Sequence, residues 1–264
     1  MAIQLNERDH LIFKLIEEHQ VLLEKHISWF IASEQKPVLI RDRLRKLFYL
    51  DYLLCQRHKE TLPWWTTPTK PLVYTLSPMT RNLVGAEEID LDVDNSALQR
   101  HLLEVANLRM LFLVDESDGL ISNFRWTTCS GEVGGSEHVD AKVSFVRHGV
   151  SLQVGIINHP ALQGDGVGKR VKAALAQPDI DMVWIISRDD SHQQELQKDI
   201  NATVGSDLEL TGCLAFATHQ ELYKSGMVRT HWQNLQARLA CLFVESIAEA
   251  KSCSFTTRPQ IASA

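Results

Sequence analysis

A cluster of guanidinium and ammonium groups is the first chemistry the chain offers. Arg41, Arg43, Arg45 and Lys46 crowd into a short stretch, flanked by Lys36, Arg57 and Lys59. Residues 36–59 thus hold seven basic side chains against two acidic ones, Asp42 and Asp51. Cations arranged this way neutralise phosphates and release the counterions condensed on a nucleic-acid backbone. The chain as a whole is anionic: 27 Lys and Arg against 33 Asp and Glu leave a formal net charge of −6 over 264 residues. That charge is unevenly spread. Residues 1–85 carry 12 basic and 9 acidic side chains, a net of +3, whereas the remainder carries 15 and 24, a net of −9. Such asymmetry implies two modules, only one of which faces an anion.

Other reactive groups do not assemble along the sequence. Gly164-Asp165-Gly166-Val167-Gly168-Lys169-Arg170 is glycine-rich, but it lacks the G-x-x-x-x-G-K-[ST] spacing and has arginine where a hydroxyl would hold Mg²⁺. A turn followed by a helix start is the better reading. His138, His148, His159, His192 and His231 form no i, i+4 pair and no H-E-x-x-H, which argues against a metal site. The five cysteines, Cys55, Cys129, Cys213, Cys241 and Cys253, are odd in number and include no C-x-x-C pair. They fit thiols in a reducing compartment better than a disulfide framework or a zinc ribbon. No apolar run approaches the ~20 residues of a bilayer span. The opening stretch has acidic residues among its apolar ones, unlike a signal peptide. A cytoplasmic protein without membrane contact and without a cofactor is expected.

The elements that must carry the basic cluster can be read from periodicity. Asn6 with Asp9 forms a helix start, and Leu11, Ile12, Leu15 and Ile16 continue it, predicting a helix over 7–19. A second amphipathic stretch holds Leu22, Leu23, His26, Ile27, Phe30 and Ile31. Ser33 to Pro37 reads as a turn. A third helix then runs from Val38 to Tyr49, with Leu39, Leu44, Leu47 and Phe48 inward and Arg41, Arg43, Arg45 and Lys46 outward. Strands follow at Leu53–Arg57 and Leu72–Leu76, joined by a segment whose Trp64 and Trp65 either pack the ribbon onto the body or stack at a binding surface. Ser77 and Pro78 open a short helix. Three helices followed by a two-stranded ribbon is the layout of a winged helix-turn-helix over residues 1–85. Its third helix would enter the major groove of double-stranded DNA, and Arg57, Lys59 and Lys70 of the ribbon would touch the neighbouring backbone.

Residues 86–96 form an acidic linker, and residues 97–230 read as an α/β domain. Ser96 caps a helix through Phe112. A hairpin at 142–146 and 151–157 closes around His148-Gly149. A helix over 164–176, a buried strand at Met182–Ser187, a helix over 192–200, a strand at 213–217 and a Thr218-capped helix follow. A closing helix over 231–251 would carry Trp232, Leu235, Leu239, Leu242, Phe243 and Ile247. It either packs back on the domain or dimerises, and a homodimer suits a two-fold symmetric DNA site. The tail 252–264 is polar and loose.

Several segments together resemble the replication-relaxation family. They are Arg43-Leu44-Arg45-Lys46-Leu47, Val73-Tyr74-Thr75-Leu76-Ser77-Pro78, Leu98-Gln99-Arg100-His101-Leu102, Val139-Asp140-Ala141, and Phe216-Ala217-Thr218-His219-Gln220-Glu221-Leu222 on to Trp232. The resemblance spans residues 5–235. It implies a bacterial protein of plasmids or other mobile elements, with a winged helix-turn-helix followed by a restriction-endonuclease-like domain, α+β or α/β in class. Nucleases of that kind place an aspartate at one strand end and an acid-x-lysine triplet on the next strand, so that two carboxylates hold Mg²⁺. Asp140 takes the first place. Gln153 then stands for the acid and Gly155 for the lysine, and neither can serve. The expectation is a sequence-specific DNA-binding protein, a regulator or a replication or mobilisation factor, whose nuclease-like domain is inactive. The alternative is a metal-dependent nuclease with an atypical site around Asp140, completed by Asp165 or Glu132.

Overall fold

The computed structural model describes residues 4–32, 37–86, 96–129, 138–159, 166–205, 211–235 and 239–240. The fold is mixed α+β, with two sheets among the described residues. Helix α1 (Glu7–His19) begins in a reciprocal capping box: the Asn6 side chain accepts from the Asp9 N–H, and the Asp9 carboxylate accepts from the Asn6 N–H. Gln20, at φ 63°, turns the chain out of the helix. Strand β1 (Leu22–Leu23), α2 (Glu24–Ala32), α3 (Pro37–Tyr49), β2 (Leu53–Arg57), β3 (Leu72–Leu76) and α4 (Pro78–Val84) follow. Strands β1, β3 and β2 form an antiparallel sheet in that order. Ile12, Phe13, Ile16, Ile27, Ile40, Leu44, Leu47 and Leu76 fill the core between that sheet and the three helices.

Leu22 and Leu23 leave the second helix expected for them and pair with Tyr74 and Val73. Both patterns bury two adjacent leucines, and a partner some fifty positions away decides between them. On α3 the inward face is also shifted. Ile40, Leu44 and Leu47 are buried, while Leu39 and Phe48, expected inside, are 53% and 39% exposed.

Helix α5 (Ser96–Ser117) is buried on several sides, and its buried residues include the polar Gln99, Glu104, Asn107 and Asp115. Ala106 joins the core of α1–α3, and Leu102 and Leu103 pack with Val21, Leu23 and Val73. Leu108 and Phe112 enter a second core beneath the larger sheet. Arg109 of α5 donates to Glu18 at 2.9 Å and meets His19 of α1 at 2.8 Å. The helix therefore belongs to both halves of the molecule.

The larger sheet runs β10-β9-β8-β7-β6-β5-β4. Its strands β4 (Ser122–Thr128), β5 (Ala141–Arg147) and β6 (Val150–His159) form an antiparallel meander. β7 (Met182–Ser187) and β8 (Leu214–Thr218) extend it in parallel through crossover helices α6 (Val167–Leu175) and α7 (Asp190–Val204). Those helices cover one face and α5 the other, so β7 is buried along its whole length. A short helix α8 (His219–Ser225) starts from a Thr218–Glu221 capping box. The closing helix expected over 231–251 is corrected. Trp232–Gln233 and Leu239–Ala240 are strands β9 and β10, and Trp232 packs 4.3 Å from Trp184. A three- or four-residue spacing of apolar residues does not exclude a sheet edge when Trp184 offers it a partner. Residues 241–264, with the rest of that stripe and the tail, lie outside the described residues, as do 87–95 of the acidic linker. Among the described residues no helix is long and apolar enough to cross a membrane.

Candidate functional site

The basic cluster separates into two populations. Arg41, Arg45 and Lys46 lie on the exposed face of α3. The Arg41 Nε donates to Glu24 Oε1 at 2.8 Å while its side chain stays 56% exposed. Arg45 sits 3.8 Å from Asp42, with both side chains in solvent, a contact worth little in water. Arg43 departs from the outward placement expected of it. Its Nε donates to Asp9 Oδ1 at 2.6 Å and its Nη2 to Oδ2, clamping α3 to the first turn of α1. Burial pushes the Asp9 carboxyl up, but Arg43 and the Asn6 N–H more than reverse this and hold it below its usual value. The ribbon cations Arg57, Lys59 and Lys70 are exposed, and two of them bond carbonyls of the ribbon itself: Lys70 Nζ donates to the Lys59 carbonyl at 2.7 Å, and Arg57 reaches the Lys70 carbonyl at 3.4 Å.

The strand register moves the acidic site. Ala141 lies opposite Ile156, Lys142 opposite Gly155 and Ser144 opposite Gln153. Gln153 and Gly155 are therefore displaced along the strand from Asp140, and the triplet positions assigned to them are corrected. A Cβ at Gly155 would stand 2.8 Å from Val139 Cγ1 and 2.9 Å from Ile180 Cδ1. A side chain there would require Val139 and Ile180 to shift. Gln153 is exposed, and its N–H donates to Asp181. The β6 residue that meets Asp140 is Asn158: its N–H donates to Asp140 Oδ2 at 2.7 Å, and its Nδ2 donates to Glu104 Oε2 at 3.2 Å. Asp165 and Glu132 lie outside the described residues.

Two buried carboxylates therefore converge on Asn158, one from the start of β5 and one from α5. Asp140 Oδ1 is held by His101 Nε2 at 3.2 Å and Arg170 Nη2 at 2.9 Å. Glu104 is fully buried; Arg100 Nε donates to its Oε1 at 2.9 Å, and His219 Nε2 stands 3.7 Å from Oε2. The His219 ring also meets the Tyr223 hydroxyl through Nδ1 at 2.8 Å. Burial works to raise Asp140, but His101, Arg170 and the Asn158 N–H more than offset it and hold the carboxyl below its usual range. Burial works to lower His101, and Asp140 and Glu104 overcome that and raise it. His219 finds too little compensation, and burial brings it down to about 4.

This arrangement does not fit a divalent cation. Every carboxylate oxygen already accepts from a cation, a histidine or an amide, and the β6 position beside Asp140 carries a neutral amide, a weak ligand. Among the described residues no group of three or more His, Cys, Asp or Glu could hold a metal. Sequence reasoning missed Glu104, His101, Asn158 and His219. One signal was available: Glu104 interrupts the apolar run Leu102 to Leu108, and a charge in such a run is rarely buried without partners.

The ribbon loop is tied to the same region. His58 meets Gln99 at 3.1 Å, and Ser96 donates to Glu60 at 2.7 Å. Glu60 also lies 3.7 Å from Arg100, the partner of Glu104. Trp65 Nε1 donates to the Thr69 carbonyl at 2.6 Å, and the Trp64 ring packs 5.2 Å from Tyr223. Of the two roles open to these tryptophans, the structure assigns them packing.

No family model matches the chain, and no curated protein matches it. It shows a distant likeness to the solved structure of the restriction endonuclease FokI bound to DNA, with 12% identity and a TM-score of 0.29 over 94% of this chain and 48% of that one. A second solved structure of the restriction endonuclease FokI gives 11% and 0.28 over the same shares. The chain spans about half the length of these structures.

Proposed function

We propose that the chain binds double-stranded DNA sequence-specifically through its N-terminal unit, acting as a winged helix. Helix α3 is the reader, and the β2–β3 ribbon lies along the backbone. The observation that carries this reading is the solvent face of α3, where Arg41, Arg45 and Lys46 stand exposed beside the ribbon. The C-terminal half bears a nuclease-like site that is catalytically silent, because its two carboxylates are neutralised from within the protein. A role as regulator, or as replication or mobilisation factor of a mobile element, rests on the resemblance of the sequence segments.

Selection of bound sequences from a random duplex pool tests the proposal. An enriched consensus whose binding weakens steeply with salt is the expected result, and a two-fold symmetric consensus would add dimeric binding. Absence of enrichment would overturn it. A second reading, a metal-dependent nuclease, would need Glu104 and Asp140, which converge on Asn158, to exchange their present partners for the metal. Incubation of supercoiled, linear and single-stranded DNA with Mg²⁺ or Mn²⁺ separates the two: cleavage that disappears in Asp140→Ala would establish the enzyme.

A further inference from the structure

Helix α3 leaves apolar side chains in water although it has a core to cover. Ile40, Leu44 and Leu47 do that covering, at 0–1% exposure, while Val38 is 62% exposed, Leu39 53% and Tyr49 74%. With 3.6 residues per turn, Val38, Asp42, Arg45 and Tyr49 follow one another at intervals of four, three and four and form a ridge along the middle of the exposed face. Leu39 and Lys46 flank that ridge on one side, and Arg41 and Phe48 flank it on the other. The ridge is ordered: apolar in the first turn, charged in the middle, aromatic at the end. Whatever covers the apolar turn must accept three neighbouring cations, Arg41, Arg45 and Lys46. A duplex groove does so, since its walls are phosphate and its floor is partly apolar.

In a helix-turn-helix the N-terminal residues of the reading helix contact base edges, and later residues reach the backbone. The apolar feature of the major groove is the C5-methyl group of thymine. We infer that Val38 and Leu39 pack on thymine methyl groups, so the bound site carries thymine beneath the first turn of α3, with Arg45 and Lys46 donating to the adjoining bases and phosphates. This inference rests on the proposed DNA binding and goes further by naming the base feature that is read. Asp42, placed between Val38 and Arg45, suits an exocyclic amine donor in the same groove and repels phosphate from the middle of the ridge.

The test uses the full chain and the consensus enriched from a random pool. Each thymine is replaced in turn by uracil, which pairs identically and lacks only the methyl group. At one or two positions per half-site the affinity should fall about fourfold, the factor for one apolar carbon withdrawn from water. The exposed-site variant Val38→Ser/Leu39→Ser, which leaves the core untouched, should bind the thymine and uracil sites equally. Tolerance of uracil at every position, a consensus without thymine, or undiminished discrimination by the serine variant would each overturn the inference while leaving DNA binding intact. Absence of any enriched sequence would overturn the DNA reading itself, and this inference with it.

Discussion

Replacing Arg43 by alanine should damage the fold and spare the proposed DNA contact. The guanidinium meets a carboxylate that is wholly buried, while its own side chain is 19% exposed. Removing one partner of a fully buried pair costs about 3–5 kcal/mol. Here Asp9 keeps the Asn6 N–H at 2.8 Å, and truncation at the rim admits water, so about 2–3 kcal/mol is expected. For a protein of this size each kcal/mol moves the thermal midpoint roughly 2–4 °C, giving a fall of about 4–12 °C. The acid limb of stability should change as well. Asp9 titrates below its usual 3.8 in the folded protein, so its contribution is present above that value and is lost as pH falls through the folded one. Arg43→Ala should flatten that loss. Calorimetry supplies the midpoint, and a gel-shift salt titration below it supplies the DNA term. Arg45→Ala should do the reverse, lowering the slope of log affinity against log salt by about 0.9 per lost phosphate contact with the midpoint unmoved. A folded Arg43→Ala protein with a reduced salt slope and an unchanged midpoint would refute the assignment.

Three further outcomes are expected. Asp140→Asn should lower stability by about 2–3 kcal/mol, because Arg170 and His101 lose a buried anion. The Asp140 share is present above its usual 3.8 and lost as pH falls, and the His101 share is present below its usual 6.5 and lost as pH rises. Urea midpoints of wild type and variant should therefore differ most between those limits. Gly155→Ala should cost about 1–3 kcal/mol through overpacking against Val139 and Ile180, visible in the same urea titrations, with DNA affinity unchanged. Trp64→Ala should remove an aromatic contact worth about 0.5–1.5 kcal/mol and speed amide exchange across the ribbon loop, most clearly at Trp65, whose N–H donates to the Leu62 carbonyl.

Much of the fold could be read locally. β2, β3 and β7 begin and end where the residue pattern places them, and α1, α4 and α8 start where Asn6, Ser77 and Thr218 declare a helix with their own side chains. What escaped was decided at long range. β1 exists because Tyr74 and Val73 accept it, and β4, with Phe124 and Trp126 alternating with polar residues, pairs along an edge of the sheet. The candidate site suffered most. A shift in register moved the position beside Asp140 from Gln153 and Gly155 to Asn158, and no local pattern sets that register. The charge of Arg43 was legible, but its buried partner, thirty-four positions away, was not.

The shared helix α5 bears on how the chain is made. The first three helices and their small sheet are all present once Leu76 has been synthesised, yet the cluster of Val21, Leu23, Leu62 and Val73 is completed only when Leu102 and Leu103 arrive. At roughly 5–20 residues per second, that interval lasts about one to five seconds. Through it the N-terminal unit presents an apolar face that lacks the α5 part of its cover, in the crowded space near the ribosome. Synthesis in order thus leaves one vulnerable moment, and a chaperone that shields extended apolar surface would have its substrate there.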